Sequence, residues 1–182
     1  MKVPLQKLPG HRSFELSVEY IDSLTKGLPM RTILGKEAGE AGQASAEVDF
    51  YVNEEQIIGT GQLDGWVELG CSRCLSNLRH TLSESITACF IPKAKLPSEE
   101  EAELDDEFTS DSEDTYGYED DEIDMEPVLR ERILLAIPYA PLCSEDCLGL
   151  CTVCGGNRNN SECGCDRKVI DPRLAALRNI KV

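Results

Sequence analysis

Nine cysteines are the residues of this 182-residue chain best equipped for chemistry, and eight of them fall into close couples. Cys71 and Cys74 form a CxxC, Cys143 and Cys147 a CxxxC, Cys151 and Cys154 a second CxxC, and Cys163 and Cys165 a CxC. Two such couples from separate segments supply four thiolates to one tetrahedral ion and leave no open position, which is the make-up of a structural zinc site. The most local grouping is Cys151, Cys154, Cys163 and Cys165, closed by the turn GGNRNNSE. Gly155, directly after Cys154, suits a knuckle whose backbone amides face a ligand sulfur. Cys71, Cys74, Cys143 and Cys147 then make a second site that joins two distant segments. The expected cofactor is structural zinc, one or two ions. Cys89, the ninth cysteine, falls on a strand at the parity opposite the apolar face and reads as a small strand residue.

Other chemistries fit less well. A CxxC is also the motif of disulfide oxidoreductases, but those place the first cysteine at a helix N-terminus, which lowers its pKa. Here CSRC has strand patterns on both sides. A catalytic zinc needs an open ligand position and a base nearby, and the only histidines, His11 and His80, stand outside the couples; His80 shares the apolar parity and reads as a packed residue. No phosphate loop, nucleophile elbow or HExxH is present. Arginine on metal-stiffened knuckles can grip RNA, which makes Arg73, Arg79, Arg158, Arg167 and Lys168 candidate nucleic-acid contacts. Residues 127–182 nevertheless carry eight bases against six acids, a weak excess.

The elements that must position these cysteines read as a sheet and a helix. SFELSVEY puts Phe14, Leu16, Val18 and Tyr20 on one strand face, and Asp22 is a cap for a short helical turn after it. GKEAGEAGQAS, residues 35–45, reads as a loop. Ala46, Val48, Phe50 and Val52 alternate with polar residues. Ile57, Leu63, Val67 and Leu69 share one parity, interrupted by Gly59 and Gly61, and Leu78, Leu82, Ile86, Ala88 and Phe90 share another. These are three antiparallel strands, with CSRC at the turn joining the last two and a bulge or close backbone approach at the glycines. Residues 124–137 read as an amphipathic helix capped by Asp124, its second half buried against the sheet. DPRLAALRNI gives a last short helix capped by Asp171.

The net charge of −16 is concentrated in one place, because residues 99–126 hold sixteen acids and no Lys or Arg while the rest carries 18 of each sign. Overall acidity therefore does not decide for or against a nucleic-acid partner. Residues 97–122 cannot bury enough apolar surface to offset chain entropy and read as an acidic disordered loop, a solvated linker or a tail for a basic partner. The N-terminal residues show no apolar leader and no run approaches a spanning helix, so the expectation is a cytoplasmic protein without a membrane partner.

The succession CSRCL, a long acidic gap, ERILLAIP, PLCSEDCLGLCTVCGGNRN, a CxC and DPRLAAL resembles the YceD family of bacterial large-ribosomal-subunit RNA accumulation proteins. The resemblance runs from about residue 14 to the C-terminus, with Arg158 standing where it implies an aliphatic residue. It implies a cytoplasmic, non-enzymatic factor needed for accumulation of large-subunit (23S) rRNA, partnered by rRNA or ribosomal proteins, with no small-molecule substrate. The alternative is a zinc-bearing interaction module in a transcription or other regulatory complex. The expected fold is α+β: an antiparallel sheet with the CxxC hairpin (1–96), the acidic loop (97–122), one helix completing the core (123–142) and a cysteine-rich zinc-binding module (143–182).

Overall fold

A computed structural model describes residues 1–29, 42–54, 56–96 and 114–166. The inner-face alternation noted above builds the centre of the fold. Strands β3 (Gly42–Asn53), β4 (Gln56–Gly70) and β5 (Asn77–Pro92) pair antiparallel in sequence order. Ala44, Ala46, Val48 and Phe50 on β3, Ile57, Leu63, Val67 and Leu69 on β4, and Leu82, Ile86, Ala88 and Phe90 on β5 are all buried. The glycines on the same face of β4 permit a close approach. A Cβ on Gly61 would lie 2.0 Å from the Glu47 carbonyl oxygen, and one on Gly65 2.4 Å from that of Gln43.

β2 (Gly10–Leu16) adds to β3 antiparallel, preceded by a short β1 (Lys2–Pro4). The expected strand through Tyr20 stops at Leu16. Ser17 takes the N-cap position of α1 (Val18–Thr25), its Oγ accepting from the Tyr20 N–H at 3.3 Å, so Val18 and Tyr20 are helical. Ser17, rather than Asp22, is the cap, because a serine in extended conformation there satisfies an otherwise unpaired helix N–H. β3 likewise begins inside the stretch expected to be a loop; residues 30–41 lie outside the described residues.

The acidic segment divides. Residues 97–113 lie outside the description, but Thr115–Tyr118 form β6, which pairs parallel with β5 at the sheet edge, and Glu122–Asp124 form β7, paired with β1. The disordered reading of 97–122 therefore fails for its last part, and the five-stranded sheet is mixed rather than wholly antiparallel. The aromatic residues supply what the carboxylates lack. Tyr116 stacks tilted against Phe90 at 5.7 Å between ring centroids and donates its hydroxyl to Glu131 at 2.7 Å. Arg132 closes the join through an ion pair with Asp114.

Helix α2 (Glu126–Ala136) follows, with Asp124 Oδ1 accepting from the Glu126 N–H at 3.0 Å. Val128, Leu129, Ile133 and Ile137 pack into the same core as the sheet, together with Ile21 of α1 and Ile123. Among the described residues two helices thus cover this face, not one. The second half of α2 is also less buried than its composition suggests, since Leu135 remains 71% exposed on the outer side. No helix among the described residues is long and apolar enough to cross a membrane.

Candidate metal centres

The β4–β5 turn carries the first knuckle. The Leu75 N–H returns to the Cys71 carbonyl and the Cys71 N–H reaches the Ser76 carbonyl, both at 2.9 Å. Cys151–Gly156 repeats this pattern, with Gly155 N–H to Cys151 O at 2.9 Å and Cys151 N–H to Gly156 O at 2.8 Å. The residue after the second cysteine is left-handed in both, at φ 60° for Leu75 and 73° for Gly155. Two CxxC sequences in unrelated surroundings therefore adopt one backbone conformation, which points the cysteines to the same side.

Each knuckle meets a partner couple. Pro138 and Pro141 take the chain away from α2, and the Ser72 N–H donates to the Pro141 carbonyl at 2.8 Å, which brings Cys143 and Cys147 over the hairpin tip. Cys71 Sγ lies 3.8 Å from Cys147 Sγ, and Cys74 Sγ 3.6 Å from Cys143 Sγ. Cys151, Cys154, Cys163 and Cys165 gather separately, and within each tetrad all four sulfurs lie inside 4.8 Å of one another. All nine cysteines are free of disulfides. Sulfurs about 2.3 Å from a central ion stand about 3.8 Å apart in a regular tetrahedron, so the spacing at the hairpin suits a soft, four-coordinate metal.

Thiol acidity fits the same use. Burial pushes the Cys71 thiol up, but the backbone N–H groups of Cys74, Cys143 and Arg73 outweigh it and hold it at about 6. In the other tetrad the N–H groups of Cys154 and Val153 hold Cys151 at about 6. The Cys147 and Cys74 thiols push Cys143 up to about 12, and those of Cys163 and Cys154 push Cys165 up to about 12. Each cluster thus has a ready thiolate beside a thiol that its neighbours keep protonated, a conflict that a bound cation removes by compensating the negative charge.

Two asparagines that the sequence reading passed over join the centres. Asn157 Nδ2 donates to Ser76 Oγ at 3.0 Å, and its Oδ1 accepts from the Asn159 backbone and side chain at 3.0 and 2.9 Å. Asn159 Nδ2 also reaches Cys147 Sγ at 3.3 Å, while its Oδ1 accepts from the Leu148 N–H at 2.8 Å. Their only sequence signal was the NRN triplet after a glycine pair, in a turn already assigned to closing the local tetrad.

The remaining predicted residues are dispersed. Arg73 Nη1 donates to the carbonyls of Glu145 and Cys147, both at 3.2 Å, and Arg158 Nη1 to that of Leu148 at 3.1 Å. Arg79 lies on Trp66, its guanidinium carbon 3.7 Å from the ring centroid. Arg167 and Lys168 lie outside the described residues. His80 Nε2 hydrogen bonds with the Ala136 carbonyl at 3.0 Å, and His11 bridges Asp49 and Glu47, so neither enters a tetrad.

Comparison with known proteins adds the family. An uncharacterized protein of Mycobacterium tuberculosis is 30% identical over 136 residues, 74% of this chain and 61% of its own length, and one of Mycobacterium bovis matches equally. The chain spans only that 61% of these relatives. A protein of Arabidopsis thaliana named large ribosomal RNA subunit accumulation protein YCED homolog 1, chloroplastic, is 29% identical over 145 residues, 66% of this chain and 44% of that protein. No solved structure matches. The family profile described as large ribosomal RNA subunit accumulation protein YceD matches residues 59–181, which takes in both cysteine tetrads, and the chain belongs to the YceD family.

Proposed function

We propose that this chain is a non-enzymatic binding protein of ribosome biogenesis, cytoplasmic, which supports accumulation of large-subunit rRNA and is held in shape by two structural zinc ions. The observation that carries the reading is the pair of all-cysteine tetrads in a chain of this family. Four sulfurs complete a tetrahedral shell, and such a site fixes a fold instead of activating water. Zinc is the ion that four thiolates at this spacing suit, with an iron–sulfur centre as the competitor that metal analysis distinguishes.

Between the two kinds of partner, a basic ribosomal protein is favoured over rRNA. Arg73 and Arg158 spend donors on carbonyls inside the module, and the dense carboxylates of residues 99–126 repel phosphate but attract Lys and Arg. The test is affinity capture of the tagged protein with protein cross-linking, alongside depletion. A ribosomal protein of the large subunit should be recovered, and depletion should lower 23S rRNA relative to 16S. Normal rRNA on depletion, or capture of RNA polymerase subunits instead, sinks the proposal; ultraviolet cross-links to rRNA alone would overturn the choice of partner.

A further inference from the structure

Two side chains bring hydrogen-bond donors to the hairpin sulfurs from outside the cysteine couples. Asn159 Nδ2 reaches Cys147 Sγ at 3.3 Å, and the Ser76 hydroxyl, together with the Ser76 N–H, donates to Cys74 Sγ. At the distal tetrad the donors to Cys151 are backbone N–H groups, those of Cys154 and Val153.

The direction of the hairpin bonds is set by backbone groups that can only donate. Asn159 Oδ1 takes the Leu148 N–H at 2.8 Å, so the same amide must turn its NH2 toward Asn157 Oδ1 and Cys147 Sγ. Asn157 Oδ1 takes the Asn159 N–H at 3.0 Å, so its own NH2 faces Ser76 Oγ, also at 3.0 Å. Ser76 Oγ accepts there and has its single proton left for Cys74. Reversing either amide would set donor against donor. The network thus runs from two backbone N–H groups to two sulfurs, and it needs both sulfurs as acceptors. A thiolate accepts such bonds more strongly than a thiol, because charge on the acceptor strengthens the bond.

We infer that Asn159 and Ser76, oriented by Asn157, are positioning residues of the hairpin metal centre, whose donors hold Cys147 and Cys74 in place as ligands and offset their thiolate charge. This role rests on the reading of the tetrads as metal sites, and it gives the NRN turn a task at the hairpin besides closing the distal tetrad. Outer donors of this kind are worth about 10- to 100-fold in metal affinity. Asn159 is exposed, so water replaces part of a lost bond and the lower end of that range applies.

The test uses the full-length chain loaded with Co2+, whose sulfur-to-metal charge-transfer band responds to hydrogen bonds on the sulfurs. Metal release at a fixed excess of chelator is followed by maleimide labelling and peptide mapping. Asn159→Asp keeps the oxygen that the Leu148 N–H needs and loses the amide donors; Asn159→Leu, which is neutral, controls for the added charge. Both should speed exposure of Cys71, Cys74, Cys143 and Cys147 by about 10-fold. Both should also move the band to lower energy, because a sulfur without its donor gives up electron density more easily. Ser76→Ala should act in the same direction, and Ser76→Thr, which keeps the hydroxyl, should restore the wild-type band. Arg158→Ala frees the Leu148 carbonyl in the same turn without touching a sulfur and should leave the band in place. Faster release with an unmoved band makes Asn159 a brace of the turn alone and overturns the assignment, as does unchanged release. A wild-type chain that holds no metal overturns it together with the zinc reading, whereas two ions in the wild type and unaltered Asn159 variants overturn it alone.

Discussion

Chelation of the two proposed ions should expose thiols in two steps, whose sizes and order follow from the make-up of the two tetrads. Of nine cysteines, Cys89 alone stands outside a tetrad, so the loaded protein should offer one reactive thiol, then five, then nine. The Cys151–Cys165 centre should empty first, because Cys154 and Cys163 are exposed, whereas Cys71, Cys74 and Cys147 at the hairpin are 0%, 4% and 5% exposed. Opening the hairpin centre also breaks Ser72 N–H to Pro141 O, Leu150 N–H to Arg73 O, and the Arg73 side-chain contacts to Glu145 and Cys147. With the two contacts of Arg73 Nη1 counted as one shared donor, these are three bonds at about 1 kcal/mol each, about 3 kcal/mol together. That slows release through local opening by about 100-fold. Maleimide labelling with intact-mass and peptide mapping, at a fixed excess of chelator, reads the steps. Release of eight thiols in a single phase, or a first step that maps to Cys71, Cys74, Cys143 and Cys147, would refute the reasoning.

Other outcomes follow from single residues. Leu75→Gly should raise the urea midpoint, because a leucine held at φ 60° costs about 1–2 kcal/mol that glycine avoids, and its side chain is already 46% exposed; a lower midpoint would show that packing outweighs backbone strain there. Gly61→Ala should destabilise by about 1–3 kcal/mol in equilibrium unfolding, since the added carbon meets the Glu47 carbonyl. Gly27→Ala, which meets nothing within 4 Å, should be neutral or mildly stabilising. Asp49 and Glu47 raise the His11 pKa, so an NMR titration should place it above 6.5. The favourable contribution of His11 to folding is then full below the unfolded pKa and lost as pH rises through the folded value; a midpoint below 6.5 would contradict the bridging geometry.

Much of the candidate site was legible because ligand couples are local. CxxC, CxxxC and CxC name their members without a fold, and the split into two tetrads followed from the closeness in sequence of Cys151, Cys154, Cys163 and Cys165, which left the other four as a second set. Inner-face parity was equally readable on β3, β4 and β5, where alternation ran long enough to distinguish a strand from a helix. Val18 and Tyr20 were misassigned because a strand-like alternation ran on past Ser17 into the helix. β6 escaped notice since its parallel partner lies across the acidic segment and its anchors, Tyr116 and Asp114, sit among carboxylates. Leu134 and Leu135 look like core residues by type, and only the packing of α2 shows which of its sides faces the sheet. Asn157 and Asn159 were hidden because turn asparagines are usually explained by their own backbone.

The asparagine relay from Ser76 through Asn157 and Asn159 to Cys147 gives the two proposed zinc sites a thermodynamic connection. Asn157 and Asn159 sit in the segment between the two halves of the distal tetrad, so an ion there restricts them before the hairpin ion arrives. The entropy of ordering them is then spent once for two binding events, and the second ion binds more tightly than it would to an unordered chain. Linkage makes the effect reciprocal: whatever factor the distal ion adds to affinity at the hairpin, the hairpin ion returns to the distal site. Loading of the chain with metal is then cooperative, and partly filled molecules are scarcer than two independent sites would give.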